Sequence, residues 1–398
     1  MLTLIKNGLV YAPDFLGKKD ILVVRDKIGF IDEEIAVPEG FVEIDVVDAA
    51  GKYIFPGFID SHVHIMGAGG EGGFRLRTPE LMVTDATVAG ITTVVGVIGD
   101  DSTTRSMASL LGKANALEEE GLSTYIHTGS YQVPVRTLMG KIEDDIILVA
   151  KIIGVGEIAI ADERSSQPTV EDISKIAAAA MTGGKMIGKA GILNIHVGTG
   201  PDKLSLINQV IDKTNIPITQ FQVTHVNRNR ELFEEAKDYA RKGGYIDFTT
   251  STDYKSLKTT EIKCSKGLKE VVDEGVPLEN VTFTSDGMIS LPTYDEEGNQ
   301  NGYKLGLQKY LYEEVKDAIL EEDVPIEKAL RVITANPADI LQLKTKGYIE
   351  KGRDADLVIV DPHTLEIQDV FAKGRKMMEK GKPIVFSTFE RERMNKKF

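Results

Sequence analysis

Four of the chain's six histidines and one aspartate recur at the same kind of position. His62 and His64 form an H-x-H at the end of FPGFIDSHVH. His196 falls at the end of GILNIHV, His225 at the end of FQVTHV, and Asp286 follows NVTFTS. Imidazole nitrogens and carboxylate oxygens ligate divalent cations, and zinc is the default for this donor set. Residues two apart in a strand face the same side, so His62 and His64 can reach one ion. Any one of these histidines alone reads as a hydrogen-bonded core residue. Five ligand-type residues, each closing an apolar run, point instead to metal binding. His127 lies within a strand-like run and His363 in the turn-like DPHTL, so both have weaker claims.

Such convergence requires a scaffold that brings strand ends together. Strand candidates recur through the middle of the chain: YIFPGFID, TTVVGVI, STYIHTG, GVGEIAIA, GILNIHV, FQVTHV, YIDFTT and NVTFTS. Helix-like stretches such as TVEDISKIAAAAMT and RELFEEAKDYARKGG separate most of them. Eight strands alternating with helices predict an α/β fold, a (β/α)8 TIM-type barrel over residues 56–345, with its active site at the C-terminal strand ends. Residues 1–55 and 346–398 carry short strand-like runs between Gly and Asp turns. Together they predict one small β-sandwich domain built from both ends of the chain.

The 398 residues include 42% hydrophobic and 27% charged side chains, an ordinary globular balance. A net charge of −14 and a pI near 5.1 repel phosphate backbones, so no nucleic-acid partner is expected. An anionic substrate would need a locally positive pocket. The single cysteine, Cys264, excludes an intramolecular disulfide and sits in a helix-like stretch, where packing is its expected role. The N-terminus lacks a basic, apolar leader, and no segment approaches the roughly 18 apolar residues of a membrane span. A cytoplasmic location is the expectation.

FPGFIDSHVH resembles the signature of the amidohydrolase superfamily. Over most of its length the chain resembles the isoaspartyl (β-aspartyl) dipeptidases within it. That resemblance implies a binuclear centre with two Zn2+ per subunit. His62, His64 and Asp286 would hold the first ion, and His196 and His225 the second. It also implies a bridging water, acidified towards a pKa of about 7, as nucleophile. Asp286 would take its proton and pass it to the leaving amine. One position departs from the pattern. Seven residues before Arg164, where the family usually has a carboxylated lysine bridging the metals, the chain has Glu157. A carboxylate can bridge two cations directly, but its shorter stem requires the strand to come closer. Lys151, read as part of the helix-like stretch before this strand, is a poor substitute.

The same resemblance implies substrate contacts. Glu71, in the Gly-rich HIMGAGGEGG, would bind an α-ammonium. Arg164 and Arg228 would bind two carboxylates, in an order the sequence leaves open. Tyr131 would polarise the scissile carbonyl, and Ser290 would touch substrate. Taken alone, Tyr131 reads as a packing residue and either arginine as a solvated one; the flanking motifs carry the assignment. Asp100 replaces a threonine usual in the family, and a carboxylate there would repel an anionic substrate or pair with arginine. The implied reaction is hydrolysis of the β-aspartyl bond in dipeptides. An N-acyl-amino-acid deacylase or a cyclic-amide hydrolase would share the metal residues without needing Glu71 and paired arginines. A non-catalytic scaffold conflicts with the intact ligand set. The family's large homo-oligomers, commonly octamers, set the expectation for assembly.

Overall fold

The computed structural model describes residues 2–37, 40, 43–251, 260–295, 297 and 299–391. The apolar runs form eight parallel strands in chain order: β1 (Phe58–Val63), β2 (Ile91–Gly96), β3 (Ser123–Thr128), β4 (Ile152–Ile160), β5 (Ile192–Val197), β6 (Phe221–Thr224), β7 (Tyr245–Thr249) and β8 (Val281–Thr284). A helix follows each: α1 (Val83–Thr87), α2 (Met107–Glu120), α3 (Ile142–Leu148), α4 (Val170–Ile187), α5 (Ser205–Lys213), α6 (Arg230–Arg241), α7 (Cys264–Asp273) and α8 (Tyr310–Leu320). Strands covered by helices outside and packed inside should be apolar throughout rather than alternating, and β1, β2, β4, β5, β6 and β8 are buried at every residue. The circle closes just past β8. Val63 bridges Gly287 in parallel, the His64 N–H donates to the Gly287 carbonyl, and the Asp286 N–H donates to the His62 carbonyl, both at 3.1 Å. That seam carries Asp286 to the H-x-H.

Nine further strands from both chain ends form one hydrogen-bonded sheet. They are Leu2–Tyr11, Phe15–Val24, Lys27–Asp32, Asp45–Asp48, Tyr53–Pro56, Leu357–Val360, Ile367–Ala372, Arg375–Glu379 and Lys382–Pro383. They enclose a separate core that includes Ile5, Ile21, Ile54, Leu357 and Phe371, the small β sandwich expected from the chain ends. YIFPGFID, read above as one strand, is two. Tyr53–Pro56 pairs antiparallel with Leu357–Val360, and the chain crosses into the barrel at Gly57, where a Cβ would collide with Thr92 and Asp356. An unanticipated hairpin, Ser290–Tyr294 with Gln300–Leu305, fills the polar connection between β8 and α8. Among the described residues, no helix is long and apolar enough to cross a membrane.

Candidate active site

The barrel topology delivers the ligand-type side chains to one rim. His62 is in β1 and His64 just past it; His196 is in β5; His225 immediately follows β6, and Asp286 lies two residues past β8. Each is at most 6% exposed. His225 and Asp286 have φ of 66° and 48°, a conformation that non-glycine residues adopt at a cost and that clusters at functional sites.

Two overlapping donor groups result. Donor atoms of His62, His64 and Asp286 lie within 4.8 Å of one another, as do those of His62, Glu157 and His225. Glu157, in β4 and fully buried, stands between them. Its Oε2 is 3.3 Å from His62 Nε2, 3.0 Å from His196 Nδ1 and 3.6 Å from His225 Nε2, and its Oε1 is 3.6 Å from His64 Nε2. Burial alone would raise the Glu157 carboxyl, but the surrounding imidazoles hold it well below the usual range. His62, buried against Glu157 and Asp286, is raised to about 10, whereas burial, together with the neighbouring His196 and Arg228, lowers His225 to about 3.

Among the described residues, several buried atoms here have no hydrogen-bond partner: both nitrogens of His62, Nδ1 of His64, Oε1 of Glu157 and Nε2 of His225. Buried lone pairs left unmatched are costly unless a ligand meets them, and divalent cations fit this donor set. His225 is oriented by Nδ1, which hydrogen-bonds Thr249 Oγ1. His196 differs from the expected grouping. It is in neither donor group; its Nδ1 meets Glu157 and, at 2.8 Å, the Tyr131 hydroxyl.

Above the cluster lies a chamber of about 100 Å³ lined by His64, Gly69, Glu71, Asp100, Tyr131, Arg164, His196, Arg228, Asp286 and Ser290. It adjoins a vestibule of about 910 Å³ that shares Glu71, Arg164 and Arg228. The structure thus gathers every residue singled out for substrate contact. Tyr131 is buried, and burial together with Glu157 raises its hydroxyl well above the ordinary value, so it stays an O–H donor. Arg164 is already engaged. Its Nε and Nη2 each donate to Asp162 at 3.0 Å, and its Nη1 to Glu71 at 2.7 Å. Arg228 reaches His196 Nε2 at 3.4 Å, and among the described residues no ion pair holds it. Of the two alternatives for Asp100, no ion pair with arginine forms among the described residues. Asp100 faces Glu71, and burial and that carboxylate raise its pKa, with Arg164 opposing them. Burial pushes Glu71 up as well, but Arg164 and Asp100 outweigh this and keep it ionised.

Other residues fall elsewhere. His127 is buried in β3 outside both donor groups, and His363 is in an exposed turn. Lys151 is not helical: α3 ends at Leu148, and Lys151 sits in the turn before β4, its Nζ bonded to Glu118 and Thr124. Cys264 is buried, its thiol donating to the Thr249 carbonyl. Two contributors escaped the sequence reading. Asp162 grips Arg164, and Arg105 pins the Gly-rich loop through the Ala68 and Gly69 carbonyls. An acid two residues before Arg164 at a strand end was the available signal for Asp162.

A family model for the amidohydrolase family matches residues 53–385. The chain belongs to the amidohydrolase family. This amidohydrolase is also 43% identical to a β-aspartyl dipeptidase from Fervidobacterium islandicum, solved in complex with β-Asp-Leu, with a TM-score of 0.89. The match covers 96% of this chain and 97% of that one. More distant likeness is widespread. An allantoinase of Desulfitobacterium hafniense is 24% identical over 94% of this chain and 89% of its own length. A dihydropyrimidinase structure from Brevibacillus agri, 16% identical with a TM-score of 0.68 and 97% of each chain covered, shares the fold.

Proposed function

We propose that this amidohydrolase cleaves the β-aspartyl (isoaspartyl) peptide bond of dipeptides at a centre of two Zn2+ held by His62, His64, Glu157, His196, His225 and Asp286. The observation carrying this reading is the chamber's charge layout, two guanidiniums and Glu71, with Asp100 facing Glu71, beside the donor cluster. A β-aspartyl dipeptide presents one ammonium and two carboxylates, which that layout complements. The likeness to a dipeptidase solved with β-Asp-Leu supports it.

When bound, the zinc ions supply Lewis acidity and hydroxide at neutral pH. The chain's own side chains do the rest. Glu71 holds the α-ammonium by charge-assisted hydrogen bonds. Arg228, free of ion pairs among the described residues, takes one carboxylate with its planar fork. Arg164 takes the other with Nη1, once Glu71 turns to the ammonium. Tyr131 donates its O–H to the carbonyl oxygen as negative charge develops there. Asp286, ionised beside His64 at 3.0 Å, accepts a proton and returns it to the leaving nitrogen. Ser290 lines the same wall. The dipeptidase resemblance further implies a homo-octamer, which light scattering reads directly.

The test is a comparison of β-Asp-Leu with α-Asp-Leu, N-acetyl-leucine and dihydroorotate. Preference for β-Asp-Leu is expected. Equal rates on the α-linked peptide, or faster cleavage of the N-acyl or cyclic substrate, would overturn the reading in favour of a deacylase or cyclic-amide hydrolase.

A further inference from the structure

Asp162 joins two halves of the site that the dipeptidase reading leaves separate. β4 ends at Ile160, and the next residues turn tightly, with Ala161 at φ 51°. Beside them runs the backbone that follows β5. The Gly198 N–H donates to the Ile160 carbonyl at 3.0 Å, and the Gly200 N–H to the Ala161 carbonyl at 2.7 Å. A Cβ at either glycine would run into Ala161, so only glycine allows the two segments to lie this close. That contact presses the Asp162 carboxylate against His196.

Four donors converge on it. Oδ1 accepts from the Arg164 backbone N–H at 2.9 Å and from Arg164 Nε at 3.0 Å. Oδ2 accepts from Arg164 Nη2 at 3.0 Å and from His196 Nε2 at 3.1 Å. The Asp162 side chain is only 6% exposed, so these partners are not exchanged freely for water. A carboxylate accepts only, so Asp162 draws the His196 proton to Nε2. Nδ1, which faces Glu157 at 3.0 Å and the Tyr131 hydroxyl at 2.8 Å, is then the nitrogen left to ligate a cation in the donor cluster. The same carboxylate fixes the guanidinium plane of Arg164 with Nη1 towards the chamber.

We infer that Asp162 is a positioning residue, which sets the ligating nitrogen of His196 and the substrate-facing edge of Arg164 through one carboxylate. Metal retention and carboxylate recognition are thereby linked through a residue that contacts neither reacting atom. Only the substrate half of this inference rests on the proposed dipeptidase reading.

The experiment uses the full-length protein loaded with zinc. Asp162→Asn keeps the shape, but its amide nitrogen opposes Arg164 as donor against donor in either flip, and His196 as well when it takes the place of Oδ2. Zinc affinity, measured by competition with a chelator, is expected to fall roughly 10- to 100-fold, the usual cost of losing a ligand's orienting partner. KM for β-Asp-Leu is expected to rise. Arg164→Gln is expected to raise KM and leave zinc affinity unchanged, and the double variant to raise KM no further than the worse single. Asp162→Ser, which keeps an acceptor for the turn N–H, replaces Asp162→Asn should that variant not fold. Wild-type zinc affinity in the folded Asp162 variant, or KM effects that multiply in the double variant, overturns the inference. So does a lowered Tm with neither quantity moved. If the wild type fails to cleave β-Asp-Leu, the function proposal falls, and the zinc comparison still decides the role of Asp162.

Discussion

Glutamine at position 157 would remove one negative charge from the centre of the donor cluster and change almost nothing in volume. The four imidazole nitrogens around the Glu157 carboxylate lie 3.0 to 3.6 Å away, and the side chain is fully buried, so bulk water screens little. A unit negative charge about 4 Å from a dication is worth about 8 kcal/mol at an effective dielectric of 20. Desolvation of a buried carboxylate offsets a large part of that. If half survives, Glu157→Gln weakens zinc binding by about 4 kcal/mol, or roughly 1,000-fold. After dialysis against a chelator, metal analysis should find two zinc ions per wild-type chain and at most one in Glu157→Gln, with β-Asp-Leu hydrolysis lost. A second arm tests whether the carboxylate stands in for a carboxylated lysine. Apo wild-type protein should regain activity with zinc at the same rate with or without bicarbonate. Lys151 offers no alternative, since it is held by Thr124 and Glu118 in the turn preceding β4. Two zinc ions and undiminished activity in Glu157→Gln, or bicarbonate-dependent reconstitution of the wild type, would refute the reasoning.

Other expectations can be checked alongside. Arg228→Met should raise KM for β-Asp-Leu roughly 10- to 100-fold and by more than Arg164→Met, because the Arg164 fork is partly satisfied by Asp162; steady-state kinetics showing the reverse order would count against it. Tyr131→Phe should lower kcat on the order of 100- to 1,000-fold with little change in Tm. Because the Tyr131 hydroxyl is held well above its ordinary value, the wild-type rate should show no titration of it up to pH 10. Glu314 offers a stability test away from the metals: burial raises its carboxyl to about 7, only partly offset by the Ser265 N–H at 2.8 Å. A folded pKa above the unfolded value near 4.3 means that its contribution is fully present below that pH and is lost as pH rises through about 7, on the order of 3 kcal/mol in all. Glu314→Gln should therefore melt above the wild type at pH 8, the difference shrinking towards pH 5; a pH-independent difference would contradict this sign.

The ligand-type residues were legible because a barrel turns a one-dimensional regularity into a three-dimensional one. Every strand ends at the same rim, so a histidine closing an apolar run has only one place to go. The chemistry between those ends was less visible. Glu157 stood out by its spacing from Arg164, but its placement among four imidazoles depends on the register of β4 against β5, which shifts between Leu193 and Ile195. Asp162 reads in the sequence as one acid in the turn DERSS. Its importance follows from Gly198 and Gly200, nearly forty residues on, which let a second backbone press it against His196. The strand YIFPGFID was misread because apolar periodicity continues across Gly57, while the hydrogen bonds do not: Tyr53–Pro56 finds its partner three hundred residues later. The turns that aim His225 and Asp286 inward were equally hidden, since left-handed backbone at those residues is imposed by packing rather than by their own preferences. Residue type and strand position therefore disclose which groups can bind a cation, whereas the contacts that select a tautomer or aim a guanidinium arise only where two strand ends meet.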